Sequence, residues 1–303
     1  MTKYYTRACN FYYGKHSKDL IKNKKTLSLN GNLEISFDQI EIITRKTSKI
    51  IHIDKIKNLP LIIKKKVNED LKNIVKKKKN FSNLNFKKIP NIMGIVNLTP
   101  DSFSDGGKYN KNKLGYVHAM NLFNCGANII DIGGESTRPG SKEIKINNEW
   151  NRIRLTIRKL KKKIPLSLDT RKSLIMERGI KLGVKLINDI SGLKFDNDSI
   201  KVLKKNNTPF VIHHILGKPS TMQNNPRYKN VLLDIYDYFE KQTRYIRLKG
   251  IKHSKIVIDP GIGFGKNLKH NITLISKISL FHSLGFPILL GTSRKKFIKD
   301  ISG

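Results

Sequence analysis

Acidic residues are scarce in this 303-residue chain, with 23 Asp and Glu against 60 Lys and Arg and a formal charge of +37. Such an excess usually points to a polyanionic partner. Here, however, the lysines are spread over the whole sequence and gather in runs such as KKKK (Lys76 to Lys79) and KLKKK (Lys159 to Lys163). They lack the aromatic interleaving of a single-strand nucleic-acid platform. The expectation is a solvated basic surface with no specific nucleic-acid partner, which still attracts a phosphate-bearing small substrate. Cysteine is nearly absent: Cys9 and Cys125 allow neither a disulfide framework nor paired metal-ligand spacing, in keeping with a reducing compartment. No uncharged apolar run approaches the roughly 18 residues of a membrane span, and MTKYYTRACNFYYGK has no apolar core like that of a secretory signal. A cytoplasmic protein with no membrane partner is expected.

What is present is a hydrophobic content of 38%, enough for a full core. From Ile92 onward, strand-like runs alternate with longer helical patterns, the mark of βα units and a parallel sheet. Seven strands can be named: IMGIVNLT, NIIDIGG, IPLSLD, KLINDISG, PFVIHH, KIVIDPG and PILLGTS. Between them, EWNRIRLTIRKLKKK places Trp150, Ile153, Ile157 and Leu160 on one buried helical face. The strands recur about every 20 to 45 residues, near the roughly 31 per unit of a (β/α)₈ barrel. The fold class expected is α/β, a TIM (β/α)₈-type barrel over residues 90–303 with seven strands visible and the eighth lacking.

Residues 1–89 read differently, as a small hairpin-and-helix appendage with a lysine-rich linker. TLSLNGNLEISF alternates apolar and polar residues on both sides of Asn30-Gly31, a strong hairpin signal. NEDLKNIV offers Asn68 as an N-cap, Glu69 and Asp70 in a first turn, and Leu71, Ile74 and Val75 as one apolar stripe.

Barrel strands present functional side chains at their C-terminal ends. Those ends supply Asn97, Asp131 with the loop GGESTRPGS, Asp169, Asn188 with Asp189, His213 or His214, Asp259 in IDPGIGFGK, and Ser293-Arg294-Lys295. His213 and His214 are adjacent on a strand, so their side chains point to opposite faces and do not readily chelate one metal. The glycines of GIGFGK lack the spacing of a P-loop and read as loop geometry that positions Phe264.

The stretches MGIVNLTPDSFSDGG, GANIIDIGGESTRPGS, LSLDT, INDISG, GKPSTMQ, IDPGIGFGK and GTSRKK, in that order, resemble dihydropteroate synthases. The resemblance implies a TIM barrel, usually a homodimer, that condenses 6-hydroxymethyl-7,8-dihydropterin pyrophosphate with 4-aminobenzoate to dihydropteroate, a folate precursor. By that resemblance, Asp169, Asn188 and Asp259 match pterin-binding positions, as ionised carboxylates and an amide suit the donor edge of a pterin. Asp131 and Arg294 join this substrate-binding set. Lys295 matches the lysine on the acceptor side of the ring. Asn97 matches the residue that meets the pyrophosphate and its Mg²⁺. Arg138 offers a fork to phosphate oxygens, and Thr137 a hydroxyl near the reacting carbon. Phe264 and Pro139 match contacts for the aromatic ring of 4-aminobenzoate. DSFSDGG resembles a mobile first loop whose Gly106 and Gly107 permit closure. Its Asp101 and Asp105 either steady that loop or approach the Mg²⁺.

No stretch corresponds to the Arg-x-His element that the family carries on its eighth strand. A truncated piece of a longer enzyme, a shortened and impaired pterin-binding protein, and a barrel sealed by a partner or by the N-terminal hairpin all remain open on the closure requirement. A pterin-dependent methyltransferase-type barrel is the rival reading, and it lacks an STRPG pyrophosphate loop.

Overall fold

The computed structural model describes residues 2–81, 84–85, 90–99, 111–136, 140–217, 221–293, 295 and 297–298. It divides into two compact units. One comprises Met1–Lys79, Tyr228–Lys241 and Leu268–Ile288; the other comprises Asn80–Arg227, Gln242–Asn267 and Leu289–Gly303.

The first unit is built on an antiparallel sheet. Strand β3 (Asn32–Ile43) pairs with β1 (Tyr5–Tyr13) along one edge, and with β2 (Leu27–Leu29) and β4 (Ser48–His52) along the other. The expected hairpin joins β2 to β3. Its corner residues Asn30 and Gly31 have φ of 53° and 68°, the left-handed pair that a tight two-residue turn demands. Helix α1 (Gly14–Lys22) follows β1. Helix α2 (Leu61–Val75) buries Val67, Leu71 and Ile74 against Ala8, Phe37 and Ile40.

Two features of this unit differ from the sequence reading. Asn68 is not an N-cap: α2 begins seven residues earlier, just after Pro60, whose locked φ suits the entry to a helix. Asp70 is not in a first turn either, since it lies well inside α2. It is buried and paired with Lys66 one turn back, Nζ to Oδ1 2.7 Å.

In the second unit, β5 (Met93–Asn97), β6 (Ile129–Gly133), β7 (Leu166–Asp169), β8 (Leu186–Asp189), β9 (Phe210–His213) and β10 (Ile256–Asp259) form one parallel sheet in chain order. Helices α3 (Lys111–Asn124), α4 (Ile146–Leu160), α5 (Ser173–Leu182) and α6 (Ser199–Asn206) alternate with them; in chain order α7 (Val231–Leu248), divided between the two units, precedes β10, and α8 (Leu268–Ser276), which belongs to the first unit, follows it. This is the β/α architecture of a TIM-type barrel. The seventh expected strand, PILLGTS, forms no ladder among the described residues; Leu289 N–H donates to Ile258 O at 2.9 Å beside β10.

Side chains alternate across each strand. Ile130, Ile132, Leu168, Ile187 and Ile212 point to one face, and Asp131, Asp169, Asn188, His213 and Asp259 to the other. Near the N-terminal ends of the strands that second face is apolar. Leu84, Ile129, Leu186, Val211 and Val257 form one buried cluster, with Phe81 packed against it. Residues that read as linker thus contribute core at the end opposite the polar ring.

Candidate functional site

Parallel pairing sets the C-terminal ends of consecutive strands side by side. Asn97 lies in register with Gly133, Gly133 with Asp169, Asp169 with Asn188, and His213 with Asp259. Gly133 is the break in the ring: a Cβ there would lie 3.2 Å from Asn97 Oδ1 and 3.3 Å from Asp169 Oδ2. The missing side chain lets the two residues face the same gap. Asn97 is exposed, while Asp169 is half-buried.

Deeper on the same face, Asn188 Nδ2 donates to Asp131 Oδ2 at 2.8 Å. Asp131 Oδ1 and Asn188 Oδ1 are buried and have no hydrogen-bond partner among the described residues. Buried acceptors left unmet cost about 1–3 kcal/mol each, so this slot is poised for a ligand that brings donors. Burial pushes the Asp131 carboxyl up from its ordinary value, against its hydrogen bonding. Asp169 is pushed well up, first by burial and then by the charges of Asp131, Glu149, Asp189 and Glu135.

A second group gathers after β10. Asp259 is buried, and its Oδ1 accepts the N–H of Gly261 at 2.7 Å. Burial pushes its carboxyl up to about 6, against that hydrogen bond and the positive charges of Lys295 and Lys266. The following loop turns on Gly261, Gly263 and Gly265, with φ of 71°, 81° and 63°. At Gly261 a Cβ would collide with the backbone carbonyl of His214, so only glycine permits this approach. The loop sets the Phe264 ring edge-to-face against His213, centroids 4.5 Å apart. Lys295 Nζ stands 4.2 Å from the centroid of Phe264, a cation–π contact. Burial lowers the Lys295 ammonium, and Asp259 pulls it the other way.

Sequence reasoning missed several groups around this ring. Lys266 is buried, and its Nζ lies 2.9 Å from Phe264 O and 3.1 Å from His214 Nδ1; burial brings it down to about 7. Glu135, Glu149, Thr170 and Lys172 form a buried polar network; Glu135 lies in GGESTRPGS and Thr170 in LSLDT, but neither stretch marks them as buried partners. Glu149 sits beside Trp150 on a helix whose apolar periodicity gives no hint of an inward carboxylate. Of the expected site residues, Thr137, Arg138, Pro139 and Arg294 lie outside the described residues, as does the loop holding Asp101, Asp105, Gly106 and Gly107. Among the described residues no three His, Cys, Asp or Glu side chains form a metal-holding group.

The profile of the pterin binding enzyme family matches residues 93–302. The dihydropteroate synthase of Escherichia coli (strain K12) is 39% identical over 214 residues, covering 70% of this chain and 76% of that protein. Among solved structures, dihydropteroate synthase from Clostridium difficile, determined in the presence of pteroic acid, is 41% identical. It superposes with a TM-score of 0.65 over 70% of this chain and 79% of its own. The Xanthomonas albilineans enzyme in complex with 7,8-dihydropteroate is 30% identical, with a TM-score of 0.65 over 73% and 78% of the two chains.

Proposed function

The chain belongs to the pterin-binding enzyme family, and from that membership we propose how its residues divide the work of dihydropteroate synthesis. The protein is a transferase of folate biosynthesis. It joins the dihydropterin methylene to the amino group of 4-aminobenzoate and releases pyrophosphate.

The observation that carries the substrate assignment is the pair of unmet buried acceptors, Asp131 Oδ1 and Asn188 Oδ1, with Asp169 in register beside Asn188 and Asp259 on the same face two strands away. A pterin edge carries several N–H donors in one plane, and such a ring of acceptors accommodates it through charge-assisted bonds. Lys295 covers the acceptor side of the bicycle, and Arg294 is assigned to the same substrate-binding set by resemblance alone. Bound this way, the pterin directs its methylene carbon outward to the rim.

The carbon–oxygen bond then breaks with its electron pair on the departing pyrophosphate, so the main demand on the protein is stabilisation of that anion. Arg138 provides a two-pronged donor and Thr137 a hydroxyl for this purpose. The aniline nitrogen attacks the cationic methylene and afterwards loses a proton. Phe264 and Pro139 hold the benzoate ring in line, and no protein nucleophile is required.

Mg²⁺ fits the donor set at the rim: Asn97 offers a neutral amide oxygen beside the carboxylate of Asp169, hard oxygen ligands of the kind this ion takes. Asn97 would hold it, and when bound the ion offsets the charge of the diphosphate. A homodimer in the cytoplasm completes the reading; among the described residues no helix is long and apolar enough to cross a membrane. Sedimentation of the purified chain tests the dimer.

The activity is tested by incubating the chain with 6-hydroxymethyl-7,8-dihydropterin pyrophosphate, Mg²⁺ and 4-aminobenzoate. Release of pyrophosphate together with 7,8-dihydropteroate is expected. Pterin binding without release would replace the enzyme with a binding protein.

A further inference from the structure

Just past the end of β7, polar side chains from three parts of the sheet–helix framework close on one another. Lys172 Nζ lies 3.0 Å from Glu135 Oε1 and 2.7 Å from Glu149 Oε2. Thr170 Oγ1 donates to Glu149 Oε1 at 2.6 Å, and Arg171 Nε to Glu135 Oε2 at 3.1 Å. Glu135 Oε1 also accepts the backbone N–H of Ile144 at 2.9 Å. Glu149 and Lys172 are 0% and 3% exposed.

Ion pairs at this depth are weak evidence for net stability, since apolar side chains of similar volume often do as well. Their positions in the chain suggest another use. Glu135 follows β6 and Ile144 precedes α4, so a single carboxylate staples the two feet of the intervening segment, 136–143. Thr170, Arg171 and Lys172 directly follow Asp169. Glu149, in the first turn of α4, is tied to Thr170 and Lys172 at once.

We propose that Lys172 is a positioning residue: by bridging Glu135 and Glu149 it locks Asp169 to both feet of the pyrophosphate loop, so that the pterin and its diphosphate are gripped as one unit. The proposal rests on the roles given above to Asp169 and Arg138. Its signature is a ratio, the factor by which the diphosphate raises the affinity of 6-hydroxymethyl-7,8-dihydropterin for the full chain, read by titration calorimetry with and without that group.

Lys172→Met should cut this factor by about tenfold or more, the scale of loss that follows from small misplacements at a reacting centre. Lys172→Arg should restore much of it. Simple loss of folded protein lowers both affinities in proportion, so an unchanged ratio in Lys172→Met overturns the proposal. If Lys172→Met does not fold, Glu149→Gln keeps the volume while weakening one arm of the bridge; it must lower the same ratio, and an unchanged ratio overturns the proposal equally. Asp169→Asn separates the two layers of argument. Wild-type pterin affinity in that variant removes the role of Asp169 and the proposal with it. Lost pterin binding, alongside an unchanged Lys172→Met ratio, removes the coupling alone.

Discussion

Asn188 donates its amide N–H to Asp131 Oδ2 at 2.8 Å, yet the other carboxylate oxygen of Asp131 and the amide oxygen of Asn188 are buried without a partner among the described residues. The pair is therefore half-satisfied, and the unmet half is what a donor-bearing ligand completes. A protein built for stability alone has no use for such an arrangement.

Replacing Asn188 with Ala should strip the buried Asp131 carboxyl of its amide donor. Loss of about 1–3 kcal/mol of stability in urea unfolding is expected, together with at least a tenfold drop in pterin affinity. Unaltered pterin affinity in a folded variant would remove Asn188 from the slot.

Asp259 predicts a pH dependence of definite sign. Its folded-state value of about 6 exceeds the 3.8 of an ordinary Asp, so the folded chain holds this proton more tightly than the unfolded one. The stabilising contribution is fully present below about pH 4 and is lost as pH rises through about 6, an effect on the order of 3 kcal/mol. In urea titrations between those limits Asp259→Asn should lack this fall, and identical slopes in the two proteins would contradict the assignment. Pterin binding runs the other way: the ionised carboxylate is the acceptor, so wild-type affinity should weaken as pH drops below about 6.

Gly261→Ala should disturb one substrate more than the other. The new methyl meets the His214 carbonyl at a left-handed backbone position, a strain of about 1–3 kcal/mol. Relief requires the loop bearing Phe264 to move, so the KM for 4-aminobenzoate should rise about tenfold or more. A matching rise for the pterin substrate alone would argue against Phe264 as the aromatic contact.

Removal of Mg²⁺ by a chelator should abolish turnover and leave binding of the unphosphorylated dihydropterin intact. Asn97→Ala should raise the Mg²⁺ concentration needed for half-maximal rate, with little change in that binding. Turnover undiminished in excess chelator would exclude the metal from the reaction.

The parallel strands were legible in sequence because strands covered on both faces read as apolar runs ending in polar residues. That is why Asn97, Asp131, Asp169, Asn188 and Asp259 could be picked out one by one. The seventh run, PILLGTS, carries the same local pattern, but pairing depends on neighbours that no local pattern specifies. Strand β1 escaped notice because YTRACNFYY mixes tyrosine with polar and basic residues and has no clean alternation. The start of α2 escaped it because Leu61 and Ile62 are exposed and break the amphipathic stripe.

By itself the sequence determined the class of fold, the order of its strands and the identity of the groups at their ends, since all of these follow from short-range periodicity and motif spacing. Only the tertiary structure decided which of those groups meet. It left Asp131 and Asn188 incompletely bonded, set Lys295 over Phe264, and buried Lys172 between Glu135 and Glu149. A lysine in a chain so rich in lysine bears no local mark of burial. Its fate is set by carboxylates 37 and 23 positions away, which only long-range packing brings within reach.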